Sequence, residues 1–265
     1  KEREEIRYFL TEEDFNSKRI KIGLKLWSSN TQWFAESKER FQRQEFDFLE
    51  LYVVPNTFHP EKLSLLQGIP VNIHVPIEEE FNLLAEREKN FTVMEEARTF
   101  ADFFHSEYII VHPGRGEKME IPENNWNLLK DNRIIIENVP VKPIGGGIPL
   151  QGYNYEQLQE LLEKSKKGFC LDFAHAFKAA KSLNIDPYQF TEKLLSLQPK
   201  VFHVVGGHLD IEEDEHLNLW EGDFDLKWIK QKVLESGCRK VVLEVPKARN
   251  SLENDIRNMD WFRRV

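Results

Sequence analysis

The sequence predicts a single (β/α)8 TIM barrel with a short N-terminal extension, and three observations lead to this fold class. Short apolar, β-branched runs recur eight times along the 265 residues, and segments with helical character separate most of them. Most of these runs lack polar alternation until their C-terminal ends, which is typical of parallel strands buried on both faces. A single α/β barrel commonly has about 250 residues, so the length suits one such domain.

The predicted strands and helices alternate along the chain. The strands are residues 20–27, 46–54, 69–77, 107–114, 133–140, 168–176, 200–207 and 240–246. The helices are residues 31–44, 60–67, 82–104, 123–130, 155–166, 185–197, 225–236 and 251–264. Pro60 and Pro187 suit first-turn positions, and Asn154 suits an N-cap. An open, doubly wound sheet remains the alternative, because a strand count does not distinguish closed from open sheets.

The chain shows no linker between domains. Its segment richest in Gly and Pro, residues 139–152, follows the fifth predicted strand and is interpreted as a loop on the active face of the barrel. Residues 1–18 precede the first strand and are expected to form a short helical extension over the bottom of the barrel. The predicted domain organisation is therefore an extension over 1–18 and a barrel over 19–265.

Composition limits the classes of partner. Lys and Arg number 36 against 45 Asp and Glu, so the formal net charge is −9, which lowers the expectation of broad binding to nucleic acid. Two cysteines, Cys170 and Cys238, provide neither a disulfide framework nor a thiolate zinc site. No apolar run approaches the roughly 18 residues of a membrane span, and the charged N-terminus lacks a signal-peptide core. These features predict a cytoplasmic protein without a membrane partner.

The ends of the predicted strands carry an unusual number of polar side chains. Catalytic residues of a barrel come from these ends and from the loops that follow them. The candidates at these positions are His74, His112, Glu137, Asp172, His175, His203 and Glu244, together with Asp214 and His216 from the loop after the seventh strand. Imidazole nitrogens and carboxylate oxygens form the ligand set typical of Zn²⁺, Mn²⁺ or Fe²⁺. The pattern therefore predicts a divalent-metal site, with zinc preferred and manganese or iron as alternatives.

Each candidate also has a simpler interpretation. A single histidine at a strand end is more often a hydrogen-bonded core residue than a ligand. Asp172 and His175 could be a helix N-cap and a surface histidine, and Asp214 and His216 could lie in a solvated charged loop. The metal site is favoured because the simpler interpretation must hold independently at nine places on one face of the barrel.

An ordered set of motifs carries a family resemblance from the third strand to the eighth. The motifs are IHVP (73–76), VHPG (111–114), IIENVP (135–140), CLDFAHAF (170–177), FHVV (202–205), DEHLNLWEGDFD (214–225) and VLEVP (242–246). The sequence thereby resembles the xylose-isomerase-like TIM-barrel superfamily, which contains endonuclease IV-type abasic-site nucleases as well as sugar isomerases and epimerases.

The resemblance implies three sets of metal ligands. Glu137, Asp172, His203 and Glu244 match the quartet shared by epimerases and nucleases. His74 and His112 match the ligands of a second metal that shares Glu137, and His175, Asp214 and His216 match the third-metal ligands of the nucleases. Two departures from the family pattern disfavour DNA as a partner. The acidic VPIEEEFNL follows His74, where the nucleases have an aromatic-containing loop, and VVGGH follows His203, where relatives commonly have an Asn-Asp pair.

Two reactions fit this resemblance. The first is hydrolysis of a phosphoester at an endonuclease IV-like site with up to three metals, in which Glu137 bridges metals and Glu244 binds metal and orients water. The alternative is isomerisation or epimerisation of a sugar or sugar phosphate, with Glu137 and Glu244 as the acid/base pair and one metal. A non-catalytic metal-binding protein and an iron-dependent oxidase are further alternatives.

The expected substrate is a small sugar-phosphate-like molecule, with DNA as the less favoured alternative. Arg115 follows VHPG directly and could bind a phosphate in a bidentate manner, through two of its guanidinium N–H groups. Lys25 ends the first strand, and Trp27 and Trp220 could form a stacking wall, although aromatic residues at loop bases are more often packing residues.

Overall fold

A computed structural model of the chain describes residues 19–77, 79–249 and 251–265. Its eight barrel strands are β1 (Lys21–Trp27), β2 (Phe48–Tyr52), β3 (Val71–His74), β4 (Ile109–Val111), β6 (Ile134–Glu137), β8 (Gly168–Asp172), β9 (Val201–Val204) and β10 (Lys240–Leu243). They form a closed parallel barrel in the order β1-β10-β9-β8-β6-β4-β3-β2. All eight predicted strands are present, and ring closure through the pairing of β1 with β10 excludes the open sheet.

Helices follow the barrel strands. They are α1 (Phe34–Gln42), α2 (Pro60–Leu63), α3 (Glu88–Phe104), α4 (Tyr155–Ser165), α5 (Phe173–Leu183), α6 (Pro187–Leu195), α7 (Leu226–Glu235) and α8 (Glu253–Arg264). Short 3-10 turns cover Thr31–Trp33, Ser64–Leu66 and Glu123–Leu129. The predicted caps are confirmed, since Asn154 Oδ1 accepts a hydrogen bond from the amide of Gln157, and Pro60 and Pro187 begin their helices.

Two helical predictions were inaccurate. Helix α3 begins at Glu88 instead of residue 82, because the side chain of Asn82 accepts a hydrogen bond from the Leu84 amide and holds a turn there. Helix α5 was not predicted. Apart from Asp172, its first residues continue the largely apolar run of β8, and hydrophobic periodicity does not separate a buried helix from a buried strand over so short a run.

An additional two-stranded antiparallel ribbon joins two loops on the side of the barrel where the strands end. Strand β5 (Gly114–Arg115) pairs with β7 (Leu150–Gln151), so the loop after β4 is tied to the Gly-rich loop after β6. The segment 139–152 therefore lies on the face predicted for it.

The interior of the barrel is apolar below the polar strand ends. A cluster of strand and pre-strand residues fills it: Phe48, Tyr108, Ile110, Ile135, Cys170, Val201 and Val242. Gly23 in β1 makes room for the Phe48 ring, because a Cβ at this position would lie 2.5 Å from Phe48 Cε2. The larger core packs the outer faces of the strands against the helices. Charged groups are thereby confined to the upper layer of the barrel.

Two predictions concern features outside this architecture. The N-terminal extension predicted over 1–18 lies outside the described residues. Within the described part of the chain, no helix combines the length and the apolar character that a bilayer span requires.

Candidate metal centre

The nine candidate residues converge at one place above the apolar interior. His74, Glu137 and Asp172 end their strands, His203 lies within β9, and His112 and Glu244 directly follow β4 and β10; His175 is in the first turn of α5, and Asp214 and His216 are in the loop after β9. Parallel strands of a closed barrel bring their carboxyl ends to one rim, and this geometry brings together residues that are up to 170 positions apart in sequence, such as His74 and Glu244.

Glu137 is the centre of the cluster. Its Oε2 lies 3.2 Å from His74 Nε2 and 3.0 Å from His112 Nε2, and its Oε1 lies 3.1 Å from His203 Nδ1 and 3.4 Å from His175 Nδ1. Burial alone would raise the pKa of Glu137, but the surrounding imidazoles hold that pKa well below its usual range. A carboxylate with four imidazoles around it is suited to bridge two cations.

His175, Asp214 and His216 form a second group at the edge of the cluster. Asp214 Oδ2 lies 3.4 Å from His175 Nε2 and 2.6 Å from His216 Nε2. Each ring has its other nitrogen fixed by a backbone carbonyl, since His175 Nδ1 lies 2.8 Å from Asn138 O and His216 Nδ1 lies 2.9 Å from Glu244 O. Both Nε2 atoms therefore face the carboxylate in a set orientation, as is usual for histidine ligands of metals.

Burial contradicts the simpler interpretations of His175 and Asp214, whereas the His216 side chain is 38% exposed. His175 is 6% exposed and is not a surface histidine, and the Asp214 side chain is 6% exposed although it lies in a charged run. The N-cap interpretation of Asp172 is correct but incomplete. Asp172 Oδ1 accepts a hydrogen bond from the His175 amide at 2.7 Å, while its Oδ2 is buried without a hydrogen-bond partner.

Several donor atoms of the cluster are left without a conventional hydrogen bond. Asp172 Oδ2 and Asp214 Oδ1 are buried and have no hydrogen-bond partner, and buried His112 Nε2 contacts Glu137 Oε2 at 3.0 Å without the geometry of a hydrogen bond. Burial, together with the neighbouring carboxylates Glu137 and Glu244, raises the pKa of Asp172 to about 6. Because an unpaired buried polar atom is costly, these three atoms point to a group that the residues were selected to bind.

The spacing of the donor atoms fits a metal ion. Ligand atoms about 2.0–2.1 Å from a tetrahedral Zn²⁺ lie roughly 3.3 Å from one another. Five groups of donor residues have ligand atoms within 4.8 Å of one another: Glu50, His74, His203 and Glu244; His74, His112 and Glu137; Glu137, Cys170 and His203; Glu137, Asp172 and His175; and His175, Asp214 and His216. The residues present thus fit divalent cations in number, type and spacing.

Glu50, in the middle of β2, is part of this centre and was missed by the sequence analysis. It is fully buried, its Oε1 lies 3.1 Å from His203 Nε2, and it also accepts a hydrogen bond from Lys25 Nζ at 2.7 Å. A signal was available in the sequence, because a carboxylate inside the apolar run FDFLELYVV is as unusual as Glu137 after III. It was overlooked because it does not end its strand.

A cavity of about 220 Å³ opens onto the centre. Its wall is formed by Lys25, Trp27, Tyr52, His74, Ile77, His112, Ile144, His175, Asp214, His216, Glu244, Val245 and Lys247. Of the four residues predicted to bind substrate, Lys25 and Trp27 thus line this cavity. Trp220 instead packs against Trp261, with ring centroids 6.0 Å apart, and Arg257 lies over its ring.

Arg115, the fourth residue predicted to bind substrate, is not part of the cavity wall. Its side chain lies near Glu79, which belongs to the acidic loop after His74. The guanidinium of Arg115 lies 3.8 Å from Glu79, and Glu80 forms an ion pair of 2.6 Å with Lys89. Glu78 lies outside the described residues. Two carboxylates of this loop are thus close to basic side chains of the protein itself.

Comparisons with known proteins agree with this architecture. A family model for the xylose isomerase-like TIM barrel matches residues 64–265. An uncharacterized protein of Methanocaldococcus jannaschii is 25% identical over 232 residues, which cover 78% of this chain and 77% of that protein.

Similar solved structures include two kinds of enzyme. A D-tagatose 3-epimerase-like protein is 21% identical with a TM-score of 0.68, covering 92% of this chain and 96% of its own. Endonuclease IV from Thermus thermophilus is 22% identical with a TM-score of 0.65, covering 92% and 98%. The IolI protein, solved with a zinc atom, is 13% identical with a TM-score of 0.63, covering 92% and 96%. At these identities the similarity concerns the fold.

Proposed function

The chain belongs to the xylose isomerase-like TIM-barrel family, and from this premise we propose that it is a divalent-metal-dependent phosphoester hydrolase acting on a small sugar-phosphate-type substrate. The observation that carries the proposal is the assembled group of His175, Asp214 and His216 beside the cavity. Isomerisation of a sugar needs one metal and no such group, whereas a phosphoryl group with several charged oxygens gains from additional cations.

The proposed ligands form three sets that share members. His74, His112 and Glu137 would hold one cation, and His175, Asp214 and His216 another, since the ligand atoms of each set lie within 4.8 Å of one another. The quartet of Glu137, Asp172, His203 and Glu244 would hold a further cation; it is proposed from the family resemblance, and its members lie in overlapping groups around Glu137 and His203. Zinc is the preferred metal because histidine nitrogens make up more than half of the set, with manganese or iron as alternatives. When bound, such cations lower the pKa of water and neutralise charge on phosphoryl oxygens.

The two carboxylates proposed to be catalytic, Glu137 and Glu244, differ in whether they reach the cavity. Glu244 lines the cavity, and its Oε1 lies 2.9 Å from His203 Nδ1, so it can orient a water molecule beside a bound phosphoester. Glu137 has a side chain that is 1% exposed and is absent from the cavity wall. Its proposed role is therefore to hold cations from below, without contact with the substrate.

The size of the cavity supports a small substrate. About 220 Å³ is less than the volume of most drug-sized ligand sites, and Trp27, Ile77 and Ile144 form an apolar wall against which a sugar-sized group can pack. The acidic segment that follows the wall residue Ile77 would disfavour the phosphates of a duplex, although Glu79 and Glu80 are partly offset by Arg115 and Lys89. DNA therefore remains the less favoured partner in the proposal.

Epimerisation or isomerisation of a sugar remains the second candidate. Its support is that Glu137 and Glu244 both approach His203 Nδ1, at 3.1 and 2.9 Å, so two carboxylates share one metal position. That reaction requires both carboxylates to reach the same substrate carbon. The burial of Glu137 below the cavity makes this the weaker proposal.

A combined assay tests the proposed function. Protein purified without added metal is analysed for metal content and then incubated with a panel of sugar phosphates and an abasic-site duplex. We expect up to three zinc equivalents and release of inorganic phosphate from small substrates. Metal-loaded protein that leaves every phosphoester intact, but exchanges solvent deuterium into a sugar, would contradict the hydrolase and support the epimerase or isomerase.

Metal uptake is expected to release protons. Burial alone would lower the pKa of the imidazoles of His175, His203 and His216. In the metal-free protein neighbouring carboxylates, together with Cys170 beside His203, instead raise the pKa of His175 and His203 well above its usual value, and that of His216 to about 9. A metal ligand must be an unprotonated imidazole, so protons compete with metal below these pKa values and the apparent affinity falls as pH decreases from 9 to 6. Calorimetry at pH 7.5 in buffers of different ionisation enthalpy measures this release. Binding heats that are independent of the buffer would contradict the expectation.

A further inference from the structure

Lys25 places a buried ammonium group in the wall of the cavity. The residue is 5% exposed, and its Nζ lies 2.7 Å from Glu50 Oε1 and 2.6 Å from Glu244 Oε1. A lysine is rarely buried unless it is paired, and here it is paired twice. Burial alone would lower the pKa of Lys25, but Glu244 and Glu50 raise it above its usual value.

The ammonium has one more donor than these two acceptors use. A lysine Nζ carries three N–H groups. Among the described residues Glu50 and Glu244 accept two of them, and because Lys25 borders the cavity, a group bound there could accept the third. We propose that Lys25 binds an anionic oxygen of the substrate and that Glu50 is the positioning residue that holds the ammonium in place. This inference rests on the proposed function, because it assigns the residue that binds an anionic oxygen of the substrate at the same site and the residue that positions it.

Glu50 has the contacts that this positioning role requires. Its side chain is fully buried at the level below the cavity, so it does not reach the substrate itself. Glu50 Oε1 lies 2.7 Å from Lys25 Nζ and 3.1 Å from His203 Nε2, and its Oε2 lies 3.3 Å from the same imidazole nitrogen. Burial would raise the pKa of Glu50, but Lys25 and His203 lower it to about 2. The carboxylate therefore fixes the ammonium and the ring of His203 together.

A substrate-binding role and a merely structural role of Lys25 predict opposite changes in metal binding. If Lys25 only supports the fold around Glu244, its removal loosens the ligand set and metal affinity falls. If Lys25 is a cation that shares Glu244 with a metal, its removal frees the Glu244 carboxylate from a competing positive charge. Metal affinity then stays the same or rises, while the affinity for an oxyanion falls.

The test uses Lys25→Met and Lys25→Arg with inorganic phosphate as the probe. Metal affinity is measured on metal-free protein, and phosphate affinity on metal-loaded protein, both by calorimetry. Lys25→Met is expected to weaken phosphate binding by about 10- to 100-fold, the effect of one hydrogen bond to a charged group, with metal affinity unchanged or increased. Lys25→Arg keeps the charge and should recover part of the loss. Lys142→Met is the matched control, since Lys142 pairs with Glu212 on an exposed loop and does not line the cavity.

The possible outcomes test the role of Lys25 and the proposed hydrolase activity separately. Unchanged phosphate affinity in Lys25→Met, joint loss of metal and phosphate, or wild-type protein that binds no phosphate overturns the inference. If phosphate binding depends on Lys25 but no phosphoester is hydrolysed, the inference stands and the proposed hydrolase fails. If phosphoesters are hydrolysed and Lys25→Met binds phosphate normally, the hydrolase stands and the inference fails.

Discussion

Glu137→Gln is expected to lower divalent-metal affinity more than ~100-fold and to abolish hydrolysis. Loss of a residue that only orients a ligand typically costs about 10- to 100-fold in metal affinity or activity, and Glu137 is proposed as a ligand of two cations at once. The substitution also removes the only carboxylate within 3.5 Å of both His74 and His112 in the described structure. Because Glu137 is proposed as a ligand in two cation sites, its loss weakens both of them, and the metal content should fall by more than one equivalent.

Metal content and phosphate release measure this effect in parallel, with circular dichroism to check the fold. Glu36→Gln is the matched control, because Glu36 also pairs with a basic side chain, Arg40, but lies on α1 away from the centre. A folded Glu137→Gln protein with the full metal content would remove Glu137 from the proposed ligand sets. Full metal content with no hydrolysis would instead assign Glu137 a role in the reaction itself.

The fold and the upper layer of the site could be predicted because one physical rule governs both. Strands buried on both faces read as apolar runs, and a polar residue that ends such a run must lie at the rim of the barrel. His74, Glu137 and Asp172 follow this rule, and the structure brings them together. The rule does not apply to Glu50, which lies in the middle of β2 and faces the interior. Its burial is tolerated only because Lys25, opposite it on the neighbouring strand β1, and His203, on β9, supply opposite charge and hydrogen bonds.

Other features depend on contacts that no local pattern encodes. Helix α5 continues an apolar run, and its start is set by the Asp172 cap together with the packing of both faces. Trp220 occurs in a motif of the superfamily, yet its ring packs on Trp261 from α8, which is 41 positions later in the chain. Asp214 occurs in a run of charged residues, and its burial follows from the position of the whole loop. Sequence identifies which residues can do chemistry, and the tertiary fold decides which of them reach the cavity.

Asp214→Asn is expected to reduce hydrolysis by about 100- to 1,000-fold, the cost of losing one electrostatic contact in a transition state. Asp214 is the only carboxylate in its group, so an amide leaves His175 and His216 without the anionic ligand. One metal equivalent should therefore be lost. The cations proposed at Glu137 and Glu244 should remain, since Asp214 contributes to neither set. Elemental analysis and phosphate release measure the two effects on the same sample.

This variant separates the two candidate reactions. A sugar epimerase would retain its activity in Asp214→Asn, because the proposed quartet of Glu137, Asp172, His203 and Glu244 is intact. A phosphoester hydrolase would lose its activity together with one metal. Asp210→Asn provides the control, since Asp210 is an exposed residue of the same loop. Hydrolysis at the wild-type rate with one metal fewer would contradict the proposed role of the group of His175, Asp214 and His216. Binding of the phosphate would then have to depend on Lys25 and the remaining cations.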